Sequence, residues 1–219
     1  MSSEFLETML VTFKLAGVTT FFLFFIGISL GYYLAFTKSR FKPFFETIIS
    51  MPLVLPPSVL GFYLLIAFSP ENFFGSFLRD NFEIQLVFSF EGLVIASIIF
   101  SLPFMVQPIQ NGFSSLSRNM ILASYTLGKS RFETLIKVMI PNIQNSILSA
   151  TVITFAHTIG EFGVVLMIGG NIAGETRVAS ISIYDEVESL NYAVANQYAL
   201  TLFLISFTVL LIVFFLKKR

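Results

Sequence analysis

The sequence predicts an all-α integral membrane protein with about five transmembrane helices, on three observations. Residues are 55% hydrophobic and only 12% charged, 28 of them are Phe, and mean hydropathy is +0.84, a balance suited to lipid rather than water. Five runs approach the roughly 20 apolar residues that cross a bilayer as a helix, at 15–37, 53–69, 92–110, 147–169 and 193–216. Charge alternates between the connections. Lys38, Arg40, Lys42, Arg118, Lys129, Arg131, Lys137, Lys217, Lys218 and Arg219 fall on one side, 10 of the 13 basic residues, and 10 of the 13 acids fall on the other. Short cytoplasmic loops retain Lys and Arg, so the basic side is expected in the cytoplasm, with the amino terminus outside and the carboxyl terminus inside.

Each run has its own signature. The first, behind an acidic tail with Glu4 and Glu7, has neither a basic leader nor a small-residue cleavage site, and reads as a retained anchor. The second is short and opens among Pro52, Pro56 and Pro57, which interrupt helical hydrogen bonding, so a tilt or kink is expected there. The connection 70–91 sets Phe73, Phe74, Phe77 and Leu78 beside Arg79 and Asp80, a pattern for a short interfacial helix. Pro103 and Pro108 predict kinks in the third run. The fourth carries a polar edge, and the fifth is uninterrupted.

Several functions are excluded by what the chain lacks. Without cysteine it has no disulfide or thiolate metal site, and a formal net charge of zero makes no case for nucleic acid. It contains no G-x-x-x-x-G-K-[ST] phosphate loop and no soluble segment long enough for a nucleotide-binding domain, so it is not expected to be an enzyme that hydrolyses ATP. No internal repeat or linker divides it, and residues 1–219 read as one membrane domain.

The connection 114–145 is different in kind. Leu116, Met120, Ala123 and Leu127 recur at 4, 3, 4, the stripe of an amphipathic helix, with Ser114 or Ser115 placed to open it and Gly128 to end it. Ser130-Arg-Phe-Glu133 is a capping box for a second helix, whose apolar face continues through Phe132, Leu135, Ile136 and Met139. Pro141 opposes continuation, so the chain bends before the fourth run. The residues alone fit either a pair of interfacial helices joining two spans or a handle for a soluble partner.

This connection resembles the signature cytoplasmic loop of binding-protein-dependent ABC importer permeases, E-A-A-x-x-x-G followed at a distance by I-x-x-P or a close variant. Ala123 and Gly128 match, Ile140 and Pro141 stand where the closing pair belongs, and Leu122 and Ser124 replace the family's Glu and second Ala. Phe155-Ala-His-Thr-Ile-Gly-Glu-Phe-Gly163, with Gly169 to Arg177, is similar to the F-A-R-x-x-G-E-F-G and N-I-x-G-x-T-R runs of molybdate permeases, His157 standing in place of Arg. Sulfate permeases usually carry Tyr at the position of Phe162, and tungstate permeases read S-E-V-G at 160–163. The resemblance implies a type I ABC importer permease fold in the bacterial cytoplasmic membrane. It also implies a second copy of the chain as homodimer partner, a cytoplasmic ABC ATPase dimer that uses ATP and Mg, and an extracytoplasmic molybdate-binding protein. No cofactor is expected on the chain itself. The coupling residues it implies are Ala123, Leu127, Gly128, Lys129, Arg131 and Pro141.

The fourth run places Thr151, Thr154, Thr158 and Glu161 on one helical edge, with His157 one turn before Glu161. Intramembrane ionisable groups avoid lipid, so this edge either borders a pathway or ties helices together. A carboxylate repels a divalent anion, which favours the second role for Glu161. Gly160 and Gly163 allow close approach or a bend. Asn171 and Arg177 lie in an outer loop, where Arg177 is placed to attract an anion or to pair with a neighbouring acid. A secondary transporter or channel, or a non-transporting assembly subunit, remains open on the residues alone.

Overall fold

Helix α5 (Phe90–Ser114) is the post on which the other elements are hung. Ser89 opens it by accepting from the Gly92 amide at 3.1 Å, and neither Pro103 nor Pro108 ends it. The computed structural model describes residues 3–217, and every regular element among them is helical.

Alongside α5 runs α1 (Ser3–Phe36), 34 residues long, or ~51 Å at the usual rise. It begins well before the apolar run, so Glu4 and Glu7 are its first turns and not a free tail. Its contact with α5 is set by Gly27 and Gly31, four residues apart on one face. A Cβ at Gly31 would sit 2.8 Å from Ile109 Cγ2 and 3.1 Å from the Gln110 amide nitrogen; one at Gly27 would strike Met105. Small residues at this spacing let helices meet where lipid supplies no hydrophobic drive.

The second apolar run is not one helix. Its residues 57–68 form α3 (Pro57–Phe68), and its first two residues close α2 (Lys42–Val54), which begins well before the expected run; the two helices are bent by 113°. Leu55, forced extended by the proline after it (ψ 136°), ends α2, and Pro56 and Pro57 bring no amides to continue the ladder. Gln107 donates to Ser50 at 2.9 Å and Gln110 to Glu46 at 2.5 Å, lashing α2 to α5. The connection after α3 contains α4 (Phe73–Phe82).

Beyond α5 come α6 (Arg118–Thr126), α7 (Arg131–Thr134), a π-helical turn (Leu135–Met139) and α8 (Ile140–Asn142). Ser115 closes α5 instead of opening the next helix, and Ser117 is the residue before α6. The chain then bends by 72° into α9 (Gln144–Ile159). The fourth apolar run is interrupted at 160–162 and resumes as α10 (Gly163–Gly169). It is followed by α11 (Ala179–Glu188) and α12 (Tyr192–Lys217). Among the described residues three helices are long and apolar enough to cross a membrane, or up to five if each bent pair forms one span.

One buried cluster joins Leu15, Phe68, Leu93, Phe100, Val164 and Ile168; a second joins Leu23, Met105, Ile109, Phe113, Met139 and Ala150. In α12 the buried side chains, Ala195 and Tyr198, belong to its first turns, and Phe203, Phe207, Phe214 and Phe215 are bare.

Replacing Gly31 with Leu should lower the thermal midpoint in detergent, by an overpacking cost of about 1–3 kcal/mol. Gly17→Ala, with open space beside it, is the control. Equal melting of Gly31→Leu and the parent would contradict the described α1–α5 contact.

Candidate functional site

Two places concentrate polar chemistry: the helix-turn-helix of residues 118–142, and the interruption between α9 and α10 with the loop that follows it.

In the first, α6 ends in a pair of backbone bonds, Lys129 N–H to Ser124 C=O at 3.2 Å and Gly128 N–H to Tyr125 C=O at 3.0 Å, with Gly128 at φ +78°. That is the 6→1 and 5→2 pattern requiring a left-handed residue, which glycine adopts without a Cβ penalty. Ser130 follows at once as N-cap of α7: its Oγ accepts from the Glu133 amide at 3.1 Å, and Glu133 accepts from the Ser130 amide at 3.3 Å. The turn is therefore fixed from both sides.

Glu133 holds two more neighbours, Lys137 at 3.2 Å and Lys129 at 3.6 Å. The Lys137 hydrogen bond, then the Ser130 amide and the charge of Lys129, hold its carboxyl below the usual range. The cap and ion pairs are thus present above the ordinary carboxylate pKa and are lost as pH falls through the lowered one. Lys129 is engaged with Glu133, while Arg131 lines a cavity of about 600 Å³ between this element and the end of α1.

The apolar stripe is distributed otherwise than its spacing predicts. Leu116 and Met120 are half-buried, but Ala123 and Leu127 are exposed, and the buried residue of α6 is Ser124. Its Oγ lies 2.9 Å from Oγ1 of buried Thr134, so a polar pair holds α6 to α7. Leu127 (80% exposed) and Phe132 (72% exposed) stand bare on either side of the turn. Sequence reasoning noted Ser124 only as a departure from a pattern; a hydroxyl residue ten positions on was the signal of its partner. Pro141 lies in the first turn of α8, just before the bend into α9.

At the second place, Thr158 Oγ1 donates to the Thr154 carbonyl at 2.9 Å and lies 3.1 Å from Ser101 Oγ of α5. Ser101 also lies 3.3 Å from His157 Nδ1. The His157 ring is stacked on Phe104, centroids 3.9 Å apart, with Phe100 at 4.8 Å. Thr154 is buried, and its hydroxyl has no partner among the described residues.

Glu161 is a bracket for the broken helix. Its Oε1 accepts from the Val164 amide at 2.9 Å in the first turn of α10, and its carbonyl accepts from Ser180 Oγ at 2.5 Å. Its partners are on α10 and α11 and those of His157 on α5, so the two ionisable residues serve different joints. Gly163 seats α10 on α3, since a Cβ there would lie 2.9 Å from Pro57 Cβ.

The loop between α10 and α11 closes on itself and on α1. Arg177 donates through Nε to Asn171 Oδ1 at 2.8 Å and through Nη1 to Glu4 Oε1 at 2.7 Å, and Asn171, at φ +60°, donates to Asp185 at 2.7 Å. Of the two roles open to Arg177, the geometry is that of pairing with an acid. Thr176, which sequence reasoning passed over, is fully buried, donating to the Gly169 carbonyl at 2.6 Å and accepting from the Ile172 amide at 2.9 Å.

The described residues form a strand-free set of apolar helices with two bent pairs and a doubly capped turn, the architecture of a membrane-embedded helical protein. The family described as binding-protein-dependent transport system inner membrane component matches residues 27–219, and the chain belongs to it. It is an inner-membrane permease subunit, in a class whose ATP hydrolysis takes place in a separate subunit.

The chain is 41% identical over 210 residues to the molybdenum transport system permease protein ModB of Azotobacter vinelandii, covering 96% of this chain and 93% of that one. It is 29% identical over 211 residues to the sulfate transport system permease protein CysT of Salmonella typhimurium, covering 95% and 75%. In fold it is similar to a solved bacterial ABC transporter involved in import of the acidic polysaccharide alginate, with a TM-score of 0.83 at 17% identity over all of this chain and 80% of that one.

Ser124→Ala should leave the Thr134 hydroxyl buried and unpaired, at a cost of about 1–3 kcal/mol, whereas Ser124→Ala with Thr134→Val should be close to neutral. Hydrogen exchange across residues 118–134 reads both. Additive losses in the double variant would deny the pairing.

Proposed function

We propose that this chain is the permease of an ATP-driven molybdate importer. It works as a homodimer, one domain per chain over residues 1–219, with an ABC ATPase dimer on its basic face and a molybdate-binding protein opposite. The observation that carries the substrate reading is the 41% identity to a molybdenum permease along nearly the whole of both chains. The run from Phe155 to Gly163 supports it, with Phe162 where sulfate permeases usually carry Tyr.

In this reading Leu127 and Phe132 enter a groove of the ATPase, with Ala123 leaving room beside them. Gly128 and the Ser130 cap make the turn stiff enough to transmit force, and Lys129 and Arg131 flank it with positive charge. Pro141 sets the bend through which motion passes to α9. Two packed arrangements of the helices, biased by the docked turn, give alternating access. The basic face is cytoplasmic, leaving the amino terminus outside and the carboxyl terminus inside. The chain binds no cofactor, and ATP and Mg belong to the ATPase.

Thr154, His157, Thr158, Glu161 and Gly163 keep the α9–α10 joint in register beside the pathway, and Asn171 and Arg177 hold the outer loop for the binding protein. Fixed positive charge is not needed at His157 for this role, which fits its aromatic bracket.

Reconstitution with the ATPase and binding protein should give ATP-dependent uptake of labelled molybdate, inhibited more by unlabelled molybdate than by sulfate. Uptake by the chain alone would overturn the mechanism, and stronger inhibition by sulfate would overturn the substrate. Gly128→Val strains a left-handed position by about 1–2 kcal/mol and should cut ATP-driven uptake by about tenfold with membrane insertion intact. Undiminished transport would remove the turn from the mechanism.

A further inference from the structure

The cavity beside Arg131 adjoins the proposed coupling turn and shares only Arg131 with it. It is walled by the last turns of α1, by α6 and by the π-helical turn, at about 600 Å³ within the ~300–1,000 Å³ typical of small-molecule sites. Three cations line it, Lys38, Arg118 and Arg131, and no acid does. None of the three has an ion pair among the described residues, although the neighbouring Lys42, Lys129 and Lys137 each have one. Like charges gathered within a Debye length repel unless an anion joins them. Arg118 lies in the first turn of α6, where the helix dipole also disfavours a cation.

The rest of the wall is largely apolar and includes Tyr32, Phe36 and Met139. A free phosphate would satisfy the cations and leave that wall wet. A phospholipid satisfies both, its phosphate among the basic residues and its glycerol and upper chain against the aromatic rings. The position agrees, for Tyr32 and Phe36 are in the closing turns of a membrane-length helix and Lys38 stands two residues past its end. Leu127 and Phe132 do not line the cavity, so a lipid there engages Arg131 alone of the docking residues and leaves the apolar docking face free.

We propose that this cavity holds the phosphate headgroup of an anionic phospholipid of the inner leaflet, fastening the helix-turn-helix to the membrane surface. The leaflet rests on the cytoplasmic placement of the basic face argued above; the headgroup selectivity does not.

Native mass spectrometry of the purified full chain, offered equal phosphatidylglycerol and phosphatidylcholine, should find phosphatidylglycerol retained preferentially. Lys38→Gln and Arg118→Gln should each weaken it about fivefold, the equivalent of about 1 kcal/mol per basic residue at an anionic surface. Lys38→Arg with Arg118→Lys should restore it, and Arg79→Gln on α4 should leave it unchanged. Equal retention of the two lipids, or a preference that survives the double Gln substitution, would overturn the proposal. Displacement of phosphatidylglycerol by inorganic phosphate would do so too, marking a soluble-anion site. Labelling of a Thr126→Cys variant in sealed cells separates the two readings. Labelling from outside would refute the orientation and the transport mechanism while headgroup selectivity, measured in detergent, stood or fell by itself.

Discussion

In hydrocarbon no water is available to repair a broken helix, so each interruption must find its hydrogen-bond partners within the protein. This chain breaks its apolar runs twice, and its organisation follows from how those breaks are closed. At 55–57 the break is made by subtraction: two consecutive prolines bring no amides, and the helix before them is held to α5 by Gln107 on Ser50 and Gln110 on Glu46. At 160–163 the repair is by addition, since Glu161 supplies an acceptor to α10 and receives Ser180 at its carbonyl.

The two closures share a neighbour. Gly163 lets α10 rest on Pro57, so the bracketed break in the fourth run sits against the proline break in the second, and both lean on α5. By contrast α12 packs on α11 and α9 through its early turns only and, bare beyond them, has a face free to meet lipid or another chain.

Local chemistry carried the reading of the sequence as far as local chemistry reaches. Gly128, the Ser130–Glu133 box and the bend after Pro141 depend on residues a few positions apart, and each stands where its spacing predicts. The bounds of α5 and α12 follow from uninterrupted apolar runs. What was not legible depends on distant partners. The first turns of α1 look like a solvated acidic tail until Arg177, 173 residues away, pairs with Glu4. The stripe through Ala123 and Leu127 looks like a core face because hydropathy ranks Ser124 as polar, yet the Thr134 hydroxyl makes that serine the buried residue. Periodicity cannot register a buried polar pair.

The partners of the site residues also bear on how an anion could be handled. Arg177 is engaged by Glu4 and Asn171, Glu161 caps a helix, and His157 is enclosed by two phenyl rings with a serine at its edge. In the proposed reading a pathway beside this joint, with its few ionisable groups bound to neighbours, offers a divalent oxyanion no deep well. That suits transport, because an anion held tightly in the membrane would have to be released against the same charge that captured it, and a weak path leaves discrimination to the protein that delivers it.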